Sequence, residues 1–119
     1  IKFINLPVSA PFHCKLMANA TKIMKQELEK INFTTPRNEI FSNVTAKSSL
    51  DILELKNTLI KQIESPVKWR EIIINMINNK IDRFIEIGPG KVLSGLTKRI
   101  SGNIKVKSIN TIEDIKSLK

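Results

Sequence analysis

Arg83-Phe84-Ile85-Glu86-Ile87-Gly88-Pro89-Gly90 runs directly into Lys91-Val92-Leu93-Ser94-Gly95-Leu96-Thr97-Lys98-Arg99-Ile100. Five residues of strand character meet a turn in which glycine lets the backbone approach a neighbour closely. A helical run then starts at Lys91 and stops at Ser101-Gly102-Asn103. Ile104 to Ile109 reads as a second strand, and Thr111 with Asp114 caps a last short helix. Strands alternating with helices predict an α/β fold, a parallel sheet covered by helices.

The rest of the chain keeps this rhythm. Ser65-Pro66 places serine at an N-cap and proline at the first helical position, predicting a helix to about Asn78. Ser48 with Asp51 three residues on predicts another helix, with Ile52, Leu55, Leu59 and Ile63 on one stripe. Ile40 to Ala46 is a short strand candidate, and Asn32 to Glu39 a connection containing Pro36. Cys14 to Ile31 carries Leu16, Ala20, Ile23, Met24, Leu28 and Ile31 at helical spacing. Ile1 to Val8 reads as the first strand. The expected order is β-α-β-α-α-β-α-β-α, without repeat, low-complexity segment or flexible linker.

The chain of 119 residues suits one domain or one piece of a larger one, and 41% hydrophobic residues suffice for a core. No apolar run approaches the ~20 residues of a membrane span, and no signal peptide is read at the N-terminus. The single cysteine, Cys14, excludes an internal disulfide and a multi-cysteine zinc site. The net charge is +9, but the lysines are dispersed and mixed with glutamates, as in Lys25-Gln26-Glu27-Leu28-Glu29-Lys30. Without a basic run or a set of stacking aromatics, nucleic acid is disfavoured, and an acidic protein partner stays open.

The lone histidine, His13, closes Leu6-Pro7-Val8-Ser9-Ala10-Pro11-Phe12-His13, where a strand hands over to a helix. Chemistry in open α/β sheets collects at that place. The free N–H groups and positive dipole end of the following helix disfavour a second positive charge, which suits a general base. By itself a lone histidine more often caps or packs under a turn. Cys14 beside it points elsewhere and reads as a small buried thiol. Gly88-Pro89-Gly90 lacks G-x-G-x-x-G and the Lys-Ser/Thr of a P-loop, so it reads as a tight turn. Ser94-Gly95 lies within a helix pattern, and the chain contains no G-x-S-x-G elbow.

Three stretches together resemble malonyl-CoA:acyl-carrier-protein transacylases. Leu6 to His13 with Leu16-Met17 resembles that family's histidine motif, Ser65-Pro66-Val67-Lys68-Trp69 the segment after its glutamine, and Phe84 to Ile100 its C-terminal signature. The resemblance runs in register from Leu6 to about Ile109. It implies an α/β-hydrolase-like large domain, of which residues 1–119 would be the C-terminal segment. The nucleophile-bearing N-terminal part and the small ferredoxin-like subdomain would lie outside it.

The implied activity is malonyl transfer from CoA to the phosphopantetheine thiol of acyl carrier protein in fatty-acid synthesis, by Ser/His ping-pong catalysis. This chain would supply the base and be inactive alone. His13 matches the catalytic base. Gln62 matches the glutamine whose backbone carbonyl orients it. Phe12 matches an acyl-selecting position, with core packing as the plainer reading, and Asn43 sits at a polar strand end assigned to substrate binding. None of Arg37, Arg70, Arg83 and Arg99 matches a malonate-binding position. No metal or redox cofactor is implied. The partners are an acidic acyl carrier protein and the rest of the enzyme, not nucleic acid or membrane, and the setting is cytoplasmic. The competing readings are a non-catalytic fragment and a module that binds an acidic partner.

Overall fold

The computed structural model describes residues 10–118. The strand expected over Ile1 to Val8 lies outside the described residues. The chain divides into two compact units, Ile1–Lys68 and Trp69–Lys119.

In the first unit, a single 3-10 turn, Lys15–Met17, precedes helix α1, Ala18–Glu29. The helix expected from Cys14 to Ile31 is thus shorter at both ends. Only Leu28 of its apolar stripe is buried, whereas Leu16, Ile23, Met24 and Ile31 are exposed. Strands β1, Ile40–Phe41, and β2, Ser48–Ser49, form an antiparallel pair. Ser48 therefore belongs to a strand and does not open a helix. The N-cap of α2, Ile52–Lys61, is Asp51, whose carboxylate accepts from the Glu54 N–H at 2.6 Å. The capping signal was real but sits three residues later, with Glu54 in the third helical position. Leu28, Ala46, Leu55 and Thr58 form the buried part of this unit.

The second unit opens with α3, Trp69–Asn78. Residues 65–68 are not helical, so the serine-proline signal here marks the approach to a helix and not its first turn. Strand β3, Arg83–Ile87, leads through the glycine turn to α4, Val92–Ile100, then β4, Lys105–Ile109, and α5, Ile112–Lys116. The two strands are parallel, paired from Arg83 with Lys105 to Ile87 with Ile109. This β-α-β unit is the α/β element expected from the sequence. Gly88 and Gly90 adopt φ of 135° and 95°, conformations that side-chain-bearing residues rarely reach. The Asn110 side chain receives the Gly90 N–H at 2.7 Å, and the Ile109 carbonyl receives that of Gly88 at 3.1 Å. Ile72, Ile73, Ser94, Thr97 and Ile109 are buried in this unit. On β3 the alternate residues Ile85 and Ile87 are exposed, although their apolar character suits a strand covered on both faces.

Helix α4 has no capping side chain of its own. Glu86, on the preceding strand, supplies one: its carboxylate accepts from the N–H groups of Leu93 at 3.1 Å and Ser94 at 2.7 Å. These are otherwise orphan donors at the positive end of the helix. Hydrogen bonds from Ser94, the hydroxyl first, hold the Glu86 carboxyl below its ordinary value, against an opposing effect of desolvation. Asp114 is held low in the same way, by the N–H groups of Asn110 and Thr111 and the hydroxyl of the Thr111 capping box. A carboxylate lowered by folding contributes stability above its ordinary pKa and loses it as the pH falls from there through the lowered value. The Tm is therefore expected to fall on acidification across that window, and less steeply in Glu86→Gln. Tm against pH for the two proteins checks this.

Candidate functional site

The backbone tightens just before His13. The Phe12 N–H bonds the Ala10 carbonyl across Pro11 at 2.9 Å, and His13 itself takes φ of 60°. Few non-glycine residues hold this left-handed conformation, which costs free energy and persists where surrounding contacts enforce it. The Cys14 thiol donates to the Pro11 carbonyl at 3.1 Å. Cys14 is half-buried and not fully enclosed as expected, and its bond turns it toward Pro11.

His13 is exposed, and its Nδ1 lies 3.0 Å from the backbone carbonyl of Gln62. The two residues are 49 positions apart in sequence. A carbonyl oxygen only accepts, so Nδ1 carries the hydrogen and the lone pair of the neutral ring lies on Nε2. Gln62 is the C-cap of α2. Its carbonyl belongs to the negative end of that helix, where unpaired acceptors collect. Residue patterning pointed only to the helix that follows His13, and the resemblance alone named the Gln62 carbonyl, which the fold delivers from the end of α2.

Asn43 joins the same cluster. Its Nδ2 donates to Gln62 Oε1 at 3.3 Å, and its backbone carbonyl accepts from the Lys68 N–H at 3.1 Å. Asn43 and Gln62 border a largely apolar cavity of about 300 Å³ that Phe33, Phe41, Leu55 and Leu59 also line. Phe12 stands beside His13 with 56% of its surface exposed, so core packing does not account for it. Ser94 lies inside α4, buried, its hydroxyl 2.7 Å from that of Ser108. That is not the geometry of an exposed nucleophile. Among the described residues, no group of three or more His, Cys, Asp or Glu side chains is placed to hold a metal ion. No helix among them is long and apolar enough to cross a membrane.

Two features of this cluster escaped the sequence reading. The left-handed backbone at His13 cannot be read from the residue type, since histidine, although among the side chains found there more often, far more commonly sits at negative φ. The Asn43–Gln62 bond joins residues 19 apart, and only the polar end of the short strand hinted at it.

No family model matches the chain. A malonyl CoA-acyl carrier protein transacylase of Haemophilus influenzae is 39% identical over 107 residues, spanning 90% of this chain and 34% of that protein. The crystal structure of an acyl carrier protein S-malonyltransferase from Vibrio cholerae superposes with a TM-score of 0.88 at 37% identity, covering 96% of this chain and 37% of that one. A malonyl-transacylase solved in complex with its type II PKS acyl-carrier protein gives 0.86 at 33% identity, covering 94% and 36%. The chain thus spans about a third of the length of these relatives. By sequence over nine-tenths of its length, and by fold, it is a homologue of one segment of the malonyl CoA-acyl carrier protein transacylases.

Proposed function

We propose that this chain is the base-bearing C-terminal segment of an acyltransferase that moves malonyl from CoA to the phosphopantetheine thiol of acyl carrier protein in fatty-acid synthesis. The observation that carries the reading is the 3.0 Å contact between His13 Nδ1 and the Gln62 carbonyl. It fixes the tautomer in which Nε2 accepts a proton, as a Ser/His acyl transfer requires. The serine comes from outside these 119 residues. In the proposed reaction Nε2 takes the serine proton as the hydroxyl attacks the malonyl thioester. The imidazolium then returns the proton to the departing CoA thiolate. The phosphopantetheine thiol next gives its proton to Nε2 as it attacks the malonyl-serine ester, and the serine leaves with that proton. The carbonyl end of α2 stabilises the imidazolium formed in each half-reaction. No metal or redox cofactor enters this chemistry.

The net charge of +9 supports an acidic carrier protein as partner through electrostatic steering, and the pathway places the enzyme in the cytoplasm. The uncovered apolar residues Leu16, Ile23, Ile85 and Ile87 support a larger domain of which this is one segment. Intact-mass measurement of holo acyl carrier protein, incubated with malonyl-CoA and the full-length protein that carries this chain, tests the reading. A malonyl increment on the carrier is expected; an unmodified carrier with a folded protein overturns it.

Phe12 borders the space beside the second carbon of the acyl group in this reading. Its rigid ring leaves room for malonyl and crowds an added methyl. Phe12→Ser is therefore expected to shift preference toward methylmalonyl-CoA by about 1–3 kcal/mol, the worth of one methyl in a pocket. The ratio of kcat/KM values for the two thioesters checks it, and an unchanged ratio in an active variant removes Phe12 from the site.

A further inference from the structure

We infer that Asn43 is a positioning residue for the His13 ring, acting through the side chain of Gln62; this rests on the reading of His13 as the base. The atom of Gln62 that meets His13 is a backbone oxygen, so changing the Gln62 side chain leaves the acceptor in place. What aims that oxygen is a separate matter. A C-cap carbonyl stands outside the helical hydrogen-bond ladder, and the helix alone does not fix its direction. The Gln62 N–H is tied back to Thr58 at 2.9 Å. Beyond it the chain is tied to Asn43 twice, by the bond from Nδ2 to Gln62 Oε1 and by the bond from the Lys68 N–H to the Asn43 carbonyl.

Asn43 is itself firmly held. The turn after β1 is closed by Ser42 N–H to the Lys47 carbonyl at 3.0 Å and Ala46 N–H to the Ser42 carbonyl at 2.9 Å. Ala46, at φ of 59°, is buried, and the Ser42 hydroxyl accepts from the Val44 N–H. A fixed turn therefore presents one amide that grips the residue carrying the carbonyl. A base keeps its rate only while its ring is held near the productive geometry. The sequence placed Asn43 among substrate-binding residues; the geometry gives its amide to Gln62.

The two roles separate in kinetics. In the full-length enzyme, Asn43→Ala is expected to lower kcat about 3- to 10-fold, the share of one neutral hydrogen bond, with KM for malonyl-CoA little changed. Gln62→Ala removes the other half of the same bond and is expected to give the same loss. The double variant is expected to fall no further than either single one, because one interaction is being deleted. A rise in KM at unchanged kcat makes Asn43 a substrate contact and overturns the inference, as do strictly multiplicative losses. Should Asn43→Ala fail to fold, Gln62→Ala reports on the bond alone, and wild-type kcat there overturns the proposal. His13→Ala is the control. An active His13→Ala enzyme defeats the functional reading, whereas an inactive one beside a fully active Asn43→Ala enzyme defeats only this inference.

Discussion

His13→Ala in the full-length enzyme is expected to lower kcat/KM for malonyl transfer by about 10²–10⁴, the usual cost of losing a positioned general base. In the proposed reaction both half-reactions route a proton through the same ring, so neither is expected to escape. The fold is expected to survive. The ring is exposed and bonds the Gln62 backbone carbonyl, so no core contact is removed. Relief of the left-handed backbone at φ of 60° acts little, since alanine tolerates that conformation no better than histidine. Steady-state rates for wild type and variant, with Tm measured beside them, check this. Near-normal kcat/KM removes His13 from the reaction.

The second large effect concerns the chain by itself. Purified residues 1–119 are expected to transfer no malonyl group above the uncatalysed rate. Covalent acyl transfer needs an activated nucleophile as well as a base. The sequence contains no G-x-S-x-G elbow, and Ser94, the nearest approach to one, is buried within α4 against Ser108. The assay follows malonyl appearing on holo carrier protein with no other transacylase present. Sustained turnover by the chain alone contradicts the division of labour proposed for it.

Local signals carried the second unit. The residues of β3 alternate between half-buried Phe84 and Glu86 and exposed neighbours, the glycine turn needs its glycines, and Thr111 with Asp114 forms the capping box the sequence suggested. Each of these depends on residues within a few positions of one another. The first unit was harder for the opposite reason. Strands β1 and β2 are two residues each, too short for any periodicity, and they exist because a turn closes them into a pair. That pairing claimed Ser48 and moved the helix cap to Asp51. Ser65-Pro66 carries the composition of a helix start, yet α3 begins only at Trp69, and the Lys68 N–H goes to Asn43 instead. At the site, the residue types were legible only through resemblance to a family. No rule of spacing joins His13 to a carbonyl 49 residues away, and nothing in the letters records that Asn43 grips the same glutamine.

His13 is the only histidine in the chain, so its imidazole gives a single set of nitrogen resonances. The ¹⁵N chemical shifts and one-bond N–H couplings of that ring in its neutral form distinguish the two tautomers. The 3.0 Å contact from Nδ1 to the Gln62 carbonyl predicts a neutral ring protonated at Nδ1, with Nε2 bare and able to accept a proton. A ring protonated at Nε2 contradicts it, because that nitrogen then has no lone pair to offer the nucleophile.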